Sequence, residues 1–214
     1  MTVKIDVYYN NIVLIGLISD THIGYPSDIL PPHIKILKPN VSVAKLPHEV
    51  TDALRGVDLI LHAGDIYVPS VLEELQAIAP VRAAWGDDDL ASDFGTDPRL
   101  KKRHTLDIDG VTLWLSHVRP AIWLVDPDDN GYLLESEPGE WEDPSNMPPA
   151  PDIIVHGHTH ASVVEYLNEI ESNKNVLVVN PGSATFPGYV PKLGSIGLLT
   201  INGGKVKARI VPLS

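Results

Sequence analysis

Apolar residues in this chain fall into short runs that break on polar residues or glycine. Residues 12–19, IVLIGLIS, are apolar on both faces, and a run this short and β-branched predicts a strand buried from both sides. Residues 2–9, TVKIDVYY, predict a short extra edge strand ahead of it. HEVTDALRG at 48–56 predicts a short helix that stops at Gly56, with Arg55 in its last turn. VDLILHAGD at 57–65 predicts a second buried strand running into a loop. PSVLEELQAIA at 69–79 predicts a helix with proline at its start and Val71, Leu72, Leu75 and Ile78 at helical spacing. VRAAWGD at 81–87 predicts a third strand. The order strand, helix, strand, helix, strand indicates a parallel α/β layer.

The period then changes. HTLDIDGVTLWLSH at 104–117 predicts two strands joined by the hairpin turn Asp109-Gly110. PDIIVHGHTH at 151–160 is a strand opening into a loop. Residues 162–168, 175–180, 195–201 and 205–212 predict further short strands, the last two joined by NGG at 202–204. The fold class is therefore α/β with α+β layering: a mixed sheet, or two stacked sheets, flanked by helices. Two segments lack periodicity, at about 23–47 and about 126–151, both rich in proline and the second strongly acidic. They are expected to be irregular insertions in a single domain spanning 1–214, serving as lids or surface loops.

Composition narrows this further. The 214 residues are 43% hydrophobic, enough for an ordinary globular core. No apolar run approaches the ~18–20 residues that would span a membrane, and the N-terminus lacks the flank and cleavage site of a secretory signal. No membrane insertion is expected, and the cytoplasm is the expected compartment. With no cysteine there is no disulfide, thiolate nucleophile or thiolate metal site. The net charge of −12 disfavours duplex nucleic acid as a partner, and KKRH at 101–104 is the sole dense basic cluster.

The residues that carry chemistry lie just past predicted strands. They are Asp20 and His22, then Asp65, then Asp87, Asp88 and Asp89, then His117, and finally His158 and His160 in the HGHTH segment. In open α/β sheets the carboxyl ends of the strands form the ligand crevice. Residues two apart on an extended backbone project to one side, so Asp20 with His22, and His158 with His160, can each reach one point. The glycine before His158 is expected to free the backbone to turn. Mixed carboxylate and imidazole donors suit divalent first-row metals. Seven donors exceed the needs of one tetrahedral ion and match two ions sharing a carboxylate, about 3.5–4 Å apart. A lone Asp-x-His or Gly-Asp is common turn chemistry; five such elements in order at strand ends are not. His62 and His156 are expected to be packed near the site rather than to ligate, and Pro181-Gly182-Ser183 to form a turn, either structural or offering amides to the site.

In this order, D-x-H, GD, GD-x-D, H and GHTH resemble the motifs of the calcineurin-like metallophosphoesterases, and the small size, HAGD and NPGS resemble their YfcE-like phosphodiesterase branch. The resemblance runs from Ile12 to about Val211. It implies an αββα sandwich of two mixed β-sheets flanked by helices. It also implies two divalent metal ions, manganese foremost, with iron, nickel, zinc or cobalt as the other candidates. By position the first ion would be held by Asp20, His22, Asp65 and His160, and the second by Asp65, Asp87, His117 and His158. The implied function is hydrolysis of a small phosphoester by a hydroxide bridging the two ions, with Asp65 as the bridge and Asp88 and Asp89 as further catalytic carboxylates. Relatives form dimers or tetramers, so a homo-oligomer is open by the same resemblance.

The chain departs from the pattern at two places. The family has Asn where Asp87 stands, and the phosphomonoesterases of the superfamily place a general-acid His where Asp88 stands. An ionised Asp88 would be a poor acid, which implies a preference for diesters. The chain also resembles the small metallophosphoesterase-like subunit of the retromer coat, a protein-interaction scaffold that carries GD-x-D and NPGSAT. A catalytically weak scaffold is therefore the alternative reading. That subunit lacks a carboxylate at the bridging position, where this chain keeps Asp65.

Overall fold

The computed structural model describes residues 3–5, 12–23, 45–126, 131–137, 140–141, 148–167 and 175–214. The chain runs through β1 (Val3–Ile5), β2 (Val13–Ile18), α1 (His48–Ala53), β3 (Leu59–His62), α2 (Pro69–Gln76), β4 (Val81–Ala84), the single turn α3 (Ala91–Phe94) and β5 (Leu100–Lys101). It continues through β6 (Arg103–Ile108), β7 (Val111–Ser116), β8 (Ala121–Asp126), β9 (Gly131–Glu137), β10 (Glu140–Trp141), β11 (Ile153–Val155), β12 (Val163–Leu167), β13 (Val176–Asn180), β14 (Ser195–Asn202) and β15 (Lys205–Pro212).

These strands build two six-stranded mixed sheets, ordered β15-β14-β2-β3-β4-β5 and β1-β6-β7-β11-β13-β12. The period-two rule explains how they stack. On β2, Val13, Ile15 and Leu17 point into a core shared with Leu113, Leu115, Ile153 and Val155 of the opposite sheet. Leu14 and Ile18 point the other way, into a second core under α1 and α2 with Val50, Leu54, Leu72 and Leu75. Double-sided burial makes β2 a continuous apolar run, and truncating Leu17 to Ala would cost about 2–5 kcal/mol. A third cluster, Trp114, Ile154, Val176 and Val178, lies on the outer face of the second sheet. Among the described residues no helix covers that face, so the helices stand on one side of the sandwich.

The parallel layer forms as expected: β2, β3 and β4 pair in parallel. The hairpin of β6 and β7 turns at Asp109 and Gly110, both at positive φ (53° and 77°), as a tight primed turn requires. Three details differ from the sequence pattern. β1 is an edge strand, but it pairs with β6 in the sheet opposite β2. Helix α2 ends at Gln76 instead of running to 79, because Ile78 and Ala79 turn back on Leu75 towards Pro80. The region 126–151 is not wholly irregular: β9 lies within it, pairs with β8 and carries the short β10, forming a separate three-stranded antiparallel sheet. Its acidic and proline-rich flanks hid the two-residue period. The expected insertion over 23–47 lies largely outside the described residues. No helix among the described residues is long and apolar enough to cross a membrane.

β2, β3 and β4 end at one edge of their sheet, and β7 and β11, also parallel to each other, end beside them. One bond ties the ends of the two sheets together, His158 N–H donating to Asp20 Oδ1 (3.1 Å), and Gly157 N–H to the His117 carbonyl (2.9 Å) continues the β7–β11 pairing past the strand ends.

Candidate metal centre

Three of the five strand ends deliver their side chains through left-handed turns rather than along an extended backbone. Asp20, His22, Asp65, His158 and His160 all lie at positive φ, between 45° and 68°. This corrects the extended-backbone expectation for the two spaced pairs. Left-handed geometry costs about 1–2 kcal/mol per residue, and Asp and His are among the types that tolerate it best. Here the turns are fixed by hydrogen bonds from Asp20 N–H to Gly64 O (3.0 Å) and from His22 N–H to Asp65 O (3.1 Å). Thr21 is turned away as expected, buried with its hydroxyl towards the Asp65 and Ile66 carbonyls.

Glycine 157 serves a purpose other than the expected one. Its φ is not left-handed; instead a Cβ there would lie 1.9 Å from Ser19 Oγ and 2.8 Å from Asp20 Oδ2. Gly86 is held to glycine for the same reason, since a Cβ would meet Asp65 N at 2.1 Å. Close approach of the loops, not freedom to turn, sets both positions.

The turns gather the seven side chains into two groups. In the first, Asp20, His22, Asp65 and His160 offer donor atoms that all lie within 4.8 Å of one another; in the second, Asp87, His117 and His158 do the same. Within the first group His22 Nε2 is 3.0 Å from His160 Nε2, and His160 Nε2 is 3.4 Å from Asp20 Oδ1. Within the second, Asp87 Oδ2 is 2.9 Å from His158 Nδ1 and 3.8 Å from His117 Nε2. Asp65 Oδ2 stands between the groups, 3.6 Å from His22 Nε2 and 3.4 Å from His117 Nε2.

The surroundings fix which ring nitrogens face the centre. His117 Nδ1 is 2.7 Å from the Ala63 carbonyl, and His160 Nδ1 is 2.8 Å from the Phe186 carbonyl. A carbonyl only accepts, so each Nδ1 carries the proton and each Nε2 turns towards the cluster. Asp20 Oδ2 and His117 Nε2 are buried with no hydrogen bond of good geometry, and Asp65 Oδ2 lies 3.4 Å from His117 Nε2. Buried polar atoms left in this way call for a ligand that is neither protein nor apolar. Burial pushes the Asp20 carboxyl up to about 6. Burial acts against the charge of His117, but the Asp65 carboxylate outweighs it and lifts the imidazole to about 9. Burial would likewise raise Asp65, but His117 and the Asp88 amide hold it down at about 2. A buried carboxylate short of positive charge and imidazole nitrogens aimed at it are the donor set that a divalent cation completes.

The remaining sequence candidates fall around these groups. Both oxygens of Asp89 accept backbone N–H bonds from Asp65, Ile66, Tyr67 and Gly86, at 2.8 to 3.2 Å. Asp89 thus pins the Asp65 loop and belongs to neither group. Asp88 is exposed; its N–H donates to Asp65 Oδ1 (3.1 Å), and its carboxylate accepts the Tyr67 hydroxyl (2.9 Å). His62 is fully buried against Thr21 Oγ1 (3.2 Å), and its burial drives its pKa down to about 3. His156 is buried beside Asn180, outside both groups. The Pro181-Gly182-Ser183 turn is structural: Gly182 N–H bonds Asn180 Oδ1, and the Ser183 hydroxyl bonds the Asp20 carbonyl at 2.7 Å.

Sequence reasoning missed the aromatic wall of the first group. Tyr67 meets the His22 ring edge-on at 4.7 Å, Tyr189 stacks on His160 at 4.4 Å, and Phe186 fills the space between them. It also missed Asn180, whose amide holds the Gly157 carbonyl and Thr159 hydroxyl. The NPGS segment signalled Asn180; nothing in the chain signalled Tyr67.

Residues 13–204 match the model of the calcineurin-like phosphoesterase superfamily domain, and the chain belongs to that family of metal-dependent phosphoester hydrolases. A probable metallophosphoesterase of Methanothermobacter thermautotrophicus is 30% identical over 93% of this chain and 92% of its own length. One from Methanocaldococcus jannaschii is 28% identical over 94% of this chain and 82% of its own. Among solved structures, a single mutant of Vps29 from Entamoeba histolytica superposes with a TM-score of 0.54 at 20% identity, covering 94% of this chain and all of that one. The last likeness speaks to the fold.

Proposed function

We propose that this protein is a dimetal phosphodiesterase acting on a small phosphoester. Asp20, His22, Asp65 and His160 would hold one ion, and Asp65, Asp87, His117 and His158 the other. The observation that carries the reading is the position of Asp65 Oδ2, within 3.6 Å of a donor in each group. Two bound divalent cations would acidify a water for attack on phosphorus and neutralise the phosphoryl oxygens. The chain's own residues fix the geometry. Asp89 holds the Asp65 loop through three amides, the Asp88 amide orients Asp65 Oδ1, and the Ala63 and Phe186 carbonyls set the two imidazole tautomers.

Diester preference follows from Asp88. It stands exposed beside Asp87, and its carboxylate accepts a bond from Tyr67 rather than offering a proton. With no imidazole acid in that position, leaving groups that depart unprotonated are favoured. The all-oxygen and nitrogen donor set suits manganese, with iron, nickel, zinc and cobalt as alternatives. The chain would form one domain and work in the cytoplasm. The test is to strip the protein of metal, reload it with manganese, and compare bis(4-nitrophenyl) phosphate with 4-nitrophenyl phosphate. Metal-dependent turnover that is faster on the diester is expected. Turnover far faster on the monoester would overturn the diester preference. No turnover with any first-row ion, in folded protein, would overturn the enzyme reading in favour of a scaffold.

A further inference from the structure

We propose that Lys101 and Lys102 form a subsite for a second anionic group on the substrate, beside the Asp87–His117–His158 cluster. This rests on the phosphoesterase reading and names the class of ester: one bearing a phosphate or carboxylate beyond the scissile phosphate.

The chain has 28 acidic and 16 basic residues. Its centre gathers Asp20, Asp65, Asp87, Asp88 and Asp89, one formal charge more than two divalent cations neutralise. A phosphoester approaching this centre is itself an anion, so its capture needs positive charge from elsewhere. The sole dense basic cluster, noted from the sequence, lies at the place where that charge is needed.

Lys101 ends β5 in register with Ala84, and its carbonyl accepts the Trp85 N–H at 3.0 Å. Asp87 is two residues beyond Trp85. Arg103 opens β6 opposite Ser116, the residue before His117. The segment 101–103 therefore crosses from one sheet to the other at the site end of the sandwich and flanks the Asp87 and His117 strand ends. His104 anchors this crossing: it is 2% exposed, and its Nε2 lies 2.8 Å from the Ala83 carbonyl and 3.1 Å from the Arg99 carbonyl.

The two lysines also differ from four of the chain's six arginines. Arg55 pairs with Asp52, Arg99 with Asp97 and Glu73, and Arg119 with Glu165, while Arg103 lies over the Trp114 ring at 5.0 Å. Lys101 and Lys102 are exposed and have no ion pair among the described residues. Their charge is available to a ligand.

The test compares two esters with the same leaving group: the 4-nitrophenyl ester of thymidine 5′-phosphate, and that ester with an added 3′-phosphate. Manganese-loaded wild type should prefer the second, and salt should erase the preference. The Lys101→Ala/Lys102→Ala variant should raise KM about tenfold on the second ester, leave kcat in place and leave the first ester unchanged. A Lys205→Ala/Lys207→Ala variant removes the same charge from the opposite edge of the sheet and should change neither. Calorimetric binding of pyrophosphate to the manganese-loaded proteins reads the same subsite without turnover. Binding weakened by the 101/102 variant in a protein that hydrolyses neither ester would keep the subsite and overturn the phosphoesterase reading. Hydrolysis of both esters with equal KM, and pyrophosphate binding untouched by the variant, would overturn the subsite and keep that reading.

Discussion

The two donor groups share one carboxylate but occupy opposite environments. In the first, Asp20, Asp65 and His160 are buried, and Tyr67, Phe186 and Tyr189 wall in the imidazoles. In the second, the side chains of Asp87 and His158 are 59% and 50% exposed, and His117 alone is buried. The first is built like a core, with every donor positioned by backbone and packed rings. The second is built like a rim, one buried imidazole facing two side chains in solvent. An ion in the first would be held by preorganised donors and exchange slowly; an ion in the second would meet water and substrate. Strand order contributes to this asymmetry, because Asp20 and Asp65 follow β2 and β3 in the middle of their sheet while Asp87 follows β4, next to the short edge strand β5.

Removing one histidine from each side should expose the contrast most strongly. His160→Ala breaks the bond to the Phe186 carbonyl, strips the Tyr189 stack and empties a buried site, so it should cost about 1–3 kcal/mol in the metal-free protein. His158→Ala should stay within about 0.5 kcal/mol, as surface changes do. Denaturant titration of the two metal-free variants reads the difference, and equal costs would remove the distinction between core and rim. Both variants should lose metal-dependent turnover.

The next effect is at Asp89. Asp89→Asn keeps the shape but forfeits charge-assisted acceptance from amides of the Asp65 loop. Metal affinity should fall about 10–100-fold, as for other residues that orient ligands. Calorimetry with manganese measures it, and an unchanged affinity would show that the loop holds itself.

The pH response is subtler and belongs to the buried members of both groups. Asp20 is raised from 3.8 to about 6, so its contribution to stability is complete below 3.8 and lost as pH rises through 6. His117 is raised from 6.5 to about 9, so its contribution is complete below 6.5 and lost as pH rises through 9. Asp65 is lowered from 3.8 to about 2, and its contribution is lost only as pH falls through 2. Melting temperatures of the metal-free protein should therefore decline in two steps, one from 3.8 that levels off near pH 6 and one from 6.5 that levels off near pH 9. Metal should flatten both, since it replaces the missing positive charge at Asp20 and the proton at His117. A metal-free profile that is flat over this range would contradict the burial argument.

Much of this was legible from residues alone. Runs such as 12–19 and 57–65 are apolar on both faces because their strands are buried on both, and the chemistry follows them because strand ends are where the backbone turns outward. The spacing of Asp20 with His22 and of His158 with His160 picked out side chains that the turns bring into the two groups, for a reason that proved incomplete. A period of two describes strands, and these residues are left-handed turns stabilised by partners on other loops. Gly157 was read through its own backbone, although what demands it is Ser19, on a segment remote in sequence. Tyr67 sits at φ 76° and is 9% exposed, held there by Asp89 and Asp88; no local pattern encodes a contact made across 21 residues. The pairing of β8 with β9 was hidden because the sequence between and around these strands is acidic and rich in proline, a composition that otherwise marks loops.

The central claim is that Asp65 joins the two groups into one centre, and electron paramagnetic resonance of manganese-loaded protein tests it most directly. The account predicts two ions per chain with an exchange-coupled spectrum, and loss of that coupling in Asp65→Asn. One ion per chain, or two ions whose spectra stay independent in the wild type, would contradict it.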